Sequence, residues 1–206
     1  RMCSFDARRC DHPTYPTAGD VPASTILGAY TVLLQPVREF FTMAPRAIVT
    51  GAAGLIGQYL VKTAPRWAPE WDVQGLSRAE LELTESLKVK ARIHALKPDL
   101  LIHCAALSRT KDCEIDPDSA RHINVEVTAH LAQLSQDIPF IFLSSGEVFD
   151  GKAGWYGEED EPNPINVYGR TKLEAEQAVL ANPKHTVVRI VLTAGTSETG
   201  NRSFVE

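Results

Sequence analysis

The sequence predicts an α/β fold, in which a doubly wound parallel β-sheet carries helices on both of its faces. Two observations predict this class. From Ala47 onward, short apolar runs typical of buried strands alternate with segments of helical spacing. A glycine-rich turn, Gly51-Ala-Ala-Gly54-Leu-Ile-Gly57, joins the first apolar run to the first helix. Strands that alternate with helices in this way pair in parallel, because each helix crosses back over the sheet.

The bounds of the elements follow from apolar periods and from the residues that interrupt them. Pro65 is expected to end the first helix, and Thr84 to cap the second. The apolar residues of the second helix also fit an alternating pattern, so a strand remains an alternative there. Strands are predicted at residues 47–50, 72–76, 100–104, 140–143 and 186–191. Helices are predicted at residues 55–64, 84–96 and 166–180, and from Asp116-Pro117 onward.

Composition limits the class of protein. A length of 206 residues suits one domain, or one domain with an appendage, and 44% hydrophobic residues are usual for a globular protein. The net charge of −5 argues against a nucleic-acid partner, and no apolar run is long enough to cross a membrane. The four cysteines form no CxxC pair. We therefore expect free thiols, no metal site and a cytoplasmic protein.

The glycine turn has the spacing and the context of a dinucleotide-binding loop. Gly51 permits the tight turn, and Gly54 lets the backbone approach a pyrophosphate. The amide groups of Leu55, Ile56 and Gly57 at the helix N-terminus would then hold that anion, and Gly57 lets helix and strand pack closely. Since the turn follows a strand and opens a helix, we predict a Rossmann-type domain. A glycine-rich turn with no ligand is the alternative.

That domain is predicted at residues 45–206, and residues 1–44 look different. The first segment is rich in proline and shows no sustained helical or strand period. We expect it to be a poorly ordered or non-native extension. The native protein is expected to begin at Met43, with the preceding residues a leader or an over-extended reading frame.

The end of the second strand bears on the choice of cofactor. An acidic residue at this point would bind the ribose 2′-hydroxyl of NAD. The chain instead has Ser77 and Arg78, which suit a 2′-phosphate and favour NADP(H). Glu80 and Glu82 lie close by in the sequence and leave NAD(H) open. Glu82 and Leu83 complete the predicted cofactor-binding residues of this segment, and a solvated Arg78 is the alternative.

Tyr168 and Lys172 lie four residues apart and therefore share one face of a predicted helix. A lysine cation beside a tyrosine favours the phenolate and lowers the pKa of the phenol. The tyrosine can then act as general acid in carbonyl reduction or as general base in alcohol oxidation, while the lysine holds the nicotinamide ribose. The pair predicts catalytic and cofactor-binding roles for both residues. An amphipathic surface helix with an exposed tyrosine is the alternative.

Two other strand ends contribute to the predicted site, because ligands bind at the carboxyl edge of such sheets. Ser145 closes the strand that begins at Phe140, and its hydroxyl can bind the substrate oxygen beside Tyr168. Cys104-Ala105-Ala106 ends the preceding strand, where small residues leave room for the cofactor ribose. His103 is expected to be a strand side chain, not a catalyst. Asn124 lies within a predicted helix and needs a structural partner for its amide.

Together these residues resemble the extended short-chain dehydrogenases/reductases, and within them the dTDP-4-dehydrorhamnose reductase-like branch. The most specific feature is the Val148-Phe-Asp-Gly turn followed by Pro162-Asn-Pro and Tyr168-Gly-Arg-Thr-Lys. The resemblance implies NAD(P)-dependent reduction of a 4-keto sugar nucleotide, with Ser145, Tyr168 and Lys172 as the catalytic triad. It extends over residues 47–206 and rests on segments 49–57, 97–106, 112–114, 122–124, 143–151 and 158–174.

The chain departs from the pattern of this branch in two respects. Gly146 and Glu147 replace an Asp and a Tyr that usually follow the strand, a difference that bears on the substrate. Members of the branch also continue into a small C-terminal substrate domain, whereas this chain ends at Glu206. We therefore expect a truncated chain in which the substrate domain is largely missing.

The resemblance leaves alternatives to the reductase. The regulatory subunit of methionine adenosyltransferase resembles the same branch, so the fold can serve as a non-catalytic, cofactor-binding partner. A sugar-nucleotide epimerase would use the same triad but would retain and recycle its cofactor. A homodimer formed through the helices that flank the sheet is a further expectation from the resemblance.

Overall fold

The computed structural model describes residues 43–191; the expectations for residues 1–42 and 192–206 lie outside this range. The strands are β1 (Arg46–Thr50), β2 (Asp72–Leu76), β3 (Leu100–His103), β4 (Phe140–Ser145) and β5 (Thr186–Ile190). The α-helices are α1 (Leu55–Trp67), α2 (Ser86–Leu96), α3 (Thr110–Ile115), α4 (Pro117–Arg121), α5 (Val127–Leu134) and α6 (Val167–Leu180). A π-helical turn (His122–Glu126) joins α4 to α5, and a 3₁₀ turn (Gly146–Val148) follows β4.

The five strands form one sheet in the order β2-β1-β3-β4-β5, and every pair is parallel. The chain leaves β1 towards β2 and then returns to the other side of β1 to form β3. The helices of such a sheet diverge at this reversal and leave a crevice at the carboxyl ends of β1 and β3. The predicted Rossmann-type fold class is confirmed.

The two faces of the sheet are packed differently. Helix α1 contacts β1 and β2, whereas α2, α5 and α6 contact one another on the opposite face, as right-handed crossovers require. Buried strand residues there include Ile48, Leu101, Phe140 and Phe142, which form the main hydrophobic core with the three helices. None of the helices within residues 43–191 is long and apolar enough to span a membrane.

Two predicted helix bounds are wrong. Helix α1 continues through Pro65 to Trp67, because a proline in the last turn removes a single helical hydrogen bond, and the Ala68 amide still binds the Ala64 carbonyl at 2.8 Å. Thr84 does not cap α2. Its amide and hydroxyl both donate to the Glu82 carboxylate, at 3.2 and 3.0 Å, so the helix begins one residue later.

The region between β3 and β4 also differs from expectation. The short polar helix α3 was not predicted, and the helix expected from Asp116 is divided by the π-helical turn. That turn adds one residue to the helical register and contains Asn124, which is fully buried. The Asn124 amide binds the Leu107 amide and carbonyl at 2.8 and 3.1 Å and the Thr171 hydroxyl at 3.0 Å. These are the structural partners that a buried asparagine requires, and they join the loop after β3 to α6.

Replacement of Asn124 by alanine is expected to lower the free energy of unfolding by roughly 2–4 kcal/mol, because it leaves the amide and carbonyl of Leu107 without partners. Chemical denaturation measures this change. Gln133→Ala, at an exposed position of α5, is the matched control and should change stability by less than about 0.5 kcal/mol. A similar small effect for Asn124→Ala would contradict the bridging role.

Candidate dinucleotide-binding and active site

The turn between β1 and α1 lies directly against the end of β3. Gly51 has φ of +73°, and a Cβ atom on it would lie 2.6 Å from the amide nitrogen of Ala105. The Cys104 amide also donates to the Thr50 carbonyl at 3.1 Å. The structure thus brings together the glycine loop and the small residues Cys104, Ala105 and Ala106, as the sequence predicted. Only glycine fits at position 51, for both conformational and steric reasons.

The N-terminus of α1 offers unsatisfied donors for an anion. Gly54 provides no side-chain cap, and the first turn contains no acidic residue. The first helical bond from this end is donated by Gln58 to Gly54 at 3.0 Å, which leaves the amides of Leu55, Ile56 and Gly57 available. This arrangement fits a pyrophosphate. Gly57 was expected to let α1 pack closely on the strand. A Cβ atom there would instead meet the Gly51 carbonyl, so this glycine lets α1 pack on the turn that precedes it.

Ser77 and Arg78 lie at the carboxyl end of β2, and carboxylates of the same loop bind both of them. The amide and hydroxyl of Ser77 donate to Glu80 at 2.8 and 2.7 Å, and Arg78 Nε donates to Glu82 at 2.6 Å. The bond from the Ser77 amide lowers the pKa of Glu80, and the bond from Arg78 lowers the pKa of Glu82. The Glu80 carboxylate therefore occupies both donors of Ser77. Leu83 packs against the hydrophobic core.

His103 is a buried link within the sheet and not a catalyst. Its Nδ1 lies 2.7 Å from the Thr50 hydroxyl, and its Nε2 lies 3.1 Å from the Thr128 hydroxyl. Because Thr128 already donates its proton to the Asn124 carbonyl, Nε2 must carry the ring proton and Nδ1 must accept from Thr50. Burial, assisted by Lys172, lowers the pKa of His103 to about 3, so the ring is neutral at physiological pH.

Ser145, Tyr168 and Lys172 meet at the carboxyl end of β4. The Ser145 hydroxyl accepts from the Glu147 amide at 3.2 Å and lies close enough to the Tyr168 phenol to affect its pKa. Burial raises the pKa of Tyr168, the Ser145 hydroxyl opposes that rise, and the Glu147 carboxylate adds to it. The expectation that Lys172 lowers this pKa is wrong here, because its ammonium is directed at the Leu143 carbonyl, 2.6 Å away. The phenol is therefore protonated at neutral pH and can donate a proton.

The Lys172 side chain lies beneath α6, with 2% of its surface exposed. Its Nζ is 3.9 Å from the centre of the Phe142 ring, and the adjacent Cys104 contributes to its electrostatic environment. Burial lowers the pKa of Lys172 to about 7 and raises the pKa of the Cys104 thiol to about 12. These two residues connect the triad to the end of β3, next to the glycine loop.

Two side chains that sequence reasoning did not assign, Glu114 and Asn166, hold the N-terminus of α6, where Tyr168 lies. Glu114 accepts from the Val167 amide at 2.7 Å, although its sequence position gave no signal beyond its presence in a family segment. Asn166 accepts from the Gly169 amide at 2.7 Å and donates to Glu147 at 2.7 Å. A Cβ on Gly169 would collide with the Glu147 carbonyl. The turn after β4 therefore packs closely on α6, and this contact fixes Tyr168 beside Ser145.

Comparisons with known proteins agree with this geometry. The family model described as RmlD substrate binding domain matches residues 45–205. A relative from Xenopus tropicalis, methionine adenosyltransferase 2 subunit beta, is 39% identical over 170 residues, which are 78% of this chain and 50% of that protein. The probable low-salt glycan biosynthesis reductase Agl14 of Haloferax volcanii is 35% identical over 161 residues, which are 72% of this chain and 54% of that protein.

Among solved structures, dTDP-4-dehydrorhamnose reductase from Bacillus anthracis, in complex with NADP, has a TM-score of 0.71. It is 31% identical, and the match covers 78% of this chain and 57% of that one. The chain spans about half the length of the curated relatives it matches. The match to the family model extends over nearly all the described residues and includes every predicted site residue. The chain therefore belongs to the RmlD substrate binding domain family, the dTDP-4-dehydrorhamnose reductase-like family that its motifs indicated.

Proposed function

We propose that this protein is an NAD(P)-dependent oxidoreductase of the short-chain dehydrogenase/reductase type, which reduces a keto group of a nucleotide-linked sugar. One observation carries the proposal. A protonated phenol, Tyr168, lies beside Ser145 at the carboxyl edge of the sheet, and this edge also carries the uncapped N-terminus of α1. A proton donor and a dinucleotide loop at one edge are what carbonyl reduction by a nicotinamide requires.

The residues divide the reaction between them. A nicotinamide dinucleotide, when bound, would supply the hydride for the carbonyl carbon. Tyr168 donates its phenolic proton to the carbonyl oxygen, so that the keto group becomes an alcohol. Ser145, beside the same phenol, would hold that oxygen within reach of the proton. Lys172, whose ammonium lies near Cys104 at the end of β3, would bind the nicotinamide ribose.

The substrate class is proposed from the relatives. The solved reductase from Bacillus anthracis acts on dTDP-4-dehydrorhamnose by its name, and the Haloferax volcanii relative is named a reductase of glycan biosynthesis. Both names are consistent with a keto sugar carried on a nucleotide. Glu147 lies beside Tyr168 and differs from the usual residue of this branch, so the sugar need not be dehydrorhamnose.

For the cofactor we propose NADP(H) over NAD(H). Ser77 presents an amide and a hydroxyl to one anion, and Arg78 lies next to it with 84% of its side chain exposed. The Bacillus anthracis enzyme is in complex with NADP, which supports nicotinamide dinucleotide binding in the family. Glu80 now occupies the Ser77 donors and must move aside for a phosphate. NAD(H) would instead leave this loop unchanged.

A second function is favoured by a separate observation. The Xenopus tropicalis relative, at 39% identity, is a methionine adenosyltransferase subunit. In that alternative the chain binds a dinucleotide and regulates a larger enzyme without turnover. Copurification of a methionine adenosyltransferase catalytic subunit from native tissue would favour it, and turnover by a partner-free protein would exclude it.

The epimerase alternative differs from reduction in that a bound cofactor is recycled. Cytoplasmic location and homodimerisation remain proposals.

Tyr168→Phe in the complete protein is expected to lower kcat for reduction of dTDP-4-dehydrorhamnose by roughly 10²–10⁴-fold, because the proton donor is removed. NADPH binding should be nearly unchanged, since the ring and its packing are kept. Stopped-flow absorbance of NADPH measures turnover. Tyr59→Phe, on the exposed side of α1, serves as the control and should retain full activity. Near-full turnover by Tyr168→Phe would refute the assigned role.

Glu80→Gln is expected to tighten NADPH binding by roughly five- to tenfold, because it removes one negative charge next to the 2′-phosphate. NADH binding should change less than twofold, since NADH has no phosphate at that position. Nicotinamide fluorescence measures both dissociation constants. Glu70→Gln, which precedes β2 at the opposite edge of the sheet, is the matched control. Equal changes for the two cofactors would show that Glu80 does not face the 2′-phosphate.

A further inference from the structure

A buried cluster of charged side chains lies between α6 and the strands β4 and β5. It contains Lys172, Glu176 and Arg189, and the first two have 2% and 1% of their surface exposed. Arg189 binds the Glu176 carboxylate in a bidentate manner, with Nε–Oε1 and Nη2–Oε2 distances of 3.0 and 2.7 Å. The guanidinium also stacks on the Phe149 ring, 5.0 Å from its centre. The carboxylate is therefore held in one position.

Lys172 and Glu176 are four residues apart in α6, and both side chains are buried. The Lys172 ammonium hydrogen-bonds the Leu143 carbonyl at 2.6 Å and lies 3.9 Å from the centre of the Phe142 ring. Neither partner carries a negative charge. A buried ammonium loses its hydration, so a nearby carboxylate is needed to offset the cost of its charge.

The other titratable groups around Lys172 cannot provide that charge at neutral pH. His103 on β3 is a neutral ring, and burial keeps the Cys104 thiol protonated. Tyr168 on α6 is a protonated phenol, and Arg189 on β5 is itself a cation. Burial lowers the pKa of Lys172, and Glu176 is the largest opposing influence. Among the described residues, Glu176 is thus the anion that faces the ammonium.

We propose that Glu176, held in place by Arg189, is a positioning residue that keeps the Lys172 ammonium charged at the catalytic edge of the sheet. Its consequence for catalysis rests on the function proposed above, but the charge relation itself does not. This role explains why a buried ion pair joins Glu176 on α6, one turn after Lys172, to Arg189 on β5. Apolar side chains would pack as well at these two positions.

The direct test is a measurement of the Lys172 pKa by NMR, on protein labelled with ¹³C at the lysine ε-carbon. The Lys172 signal is assigned by its absence in Lys172→Arg. In Glu176→Gln the Lys172 pKa is expected to fall by about 1–2 pH units below its wild-type value of about 7. Glu174→Gln is the matched control: it lies on the same helix, but its carboxylate pairs with Arg121 at the surface, at 2.6 Å. It should leave the Lys172 pKa unchanged.

Two further variants separate charge from folding. Arg189→Met releases the carboxylate from its ion pair but keeps its charge, so the Lys172 pKa should fall less than in Glu176→Gln. Glu176→Gln/Arg189→Met removes both charges, which protects the fold from an unpaired buried guanidinium. This double variant should retain most of the fall, because Arg189 is not among the groups that shift the pKa of Lys172. Equal effects of Glu176→Gln and Arg189→Met, or no effect of the double variant, would overturn the proposal.

The functional consequence is measured on the same proteins by NADPH binding across pH. Wild-type affinity should decline as the pH rises through the Lys172 pKa, and the decline should begin about 1–2 pH units lower in Glu176→Gln. If the Lys172 pKa falls in Glu176→Gln as expected but the wild-type protein does not bind NADPH, the result would count against the proposed function and support the charge relation. If NADPH binds but the Lys172 pKa is unchanged in Glu176→Gln, the result would support the proposed function and overturn the charge relation.

Discussion

The close contact between the β1–α1 turn and the end of β3 is the constraint on which the rest of the site depends. A glycine at position 51 lets the backbone of Ala105 approach to a distance that no side chain allows. The contact lies at the point where the sheet reverses direction, which is where such a sheet leaves a crevice. The uncapped N-terminus of α1 follows this turn, and Lys172 lies near Cys104 at the end of β3.

Helix α6 depends on contacts from other segments in the same way. Its own sequence places Tyr168 and Lys172 on one face, but Glu114, Asn166 and the turn after β4 determine where that face points. Burial then acts on the two residues in opposite senses, since it raises the pKa of the phenol and lowers the pKa of the ammonium. The fold therefore keeps the proton donor protonated while making the cation costly to maintain.

Local patterns were sufficient to predict the architecture, while the roles of the site residues stay predictions. The apolar runs at Ile48 and Leu101 indicated buried strands, and the glycine spacing at Gly51 indicated a turn with a ligand-binding role. Both patterns depend only on residues that are close in the sequence and on general steric rules for the backbone. The parallel sheet, the crevice and the grouping of the triad with Cys104 followed from them.

What the sequence could not predict depends on residues far apart in the chain. Helix α3 has six residues and no apolar period, and its Glu114 binds an amide 53 residues further along. The π-helical turn depends on the fit of Asn124 between Leu107 and Thr171. The predicted effect of Lys172 on Tyr168 assumed that helical spacing decides which groups interact. In the structure the lysine side chain turns towards the Leu143 carbonyl instead.

The hydrogen bonds of His103 have a direction, and this has a consequence for how the protein can vary in evolution. Hydrogen bonds are donated in one sense, from Thr50 to the ring, from the ring to Thr128, and from Thr128 to the Asn124 carbonyl. A single replacement along this path leaves a buried donor or acceptor without a partner. Positions 50, 103 and 128 should therefore covary among homologues, with an apolar residue at one accompanied by compensating changes at the other two.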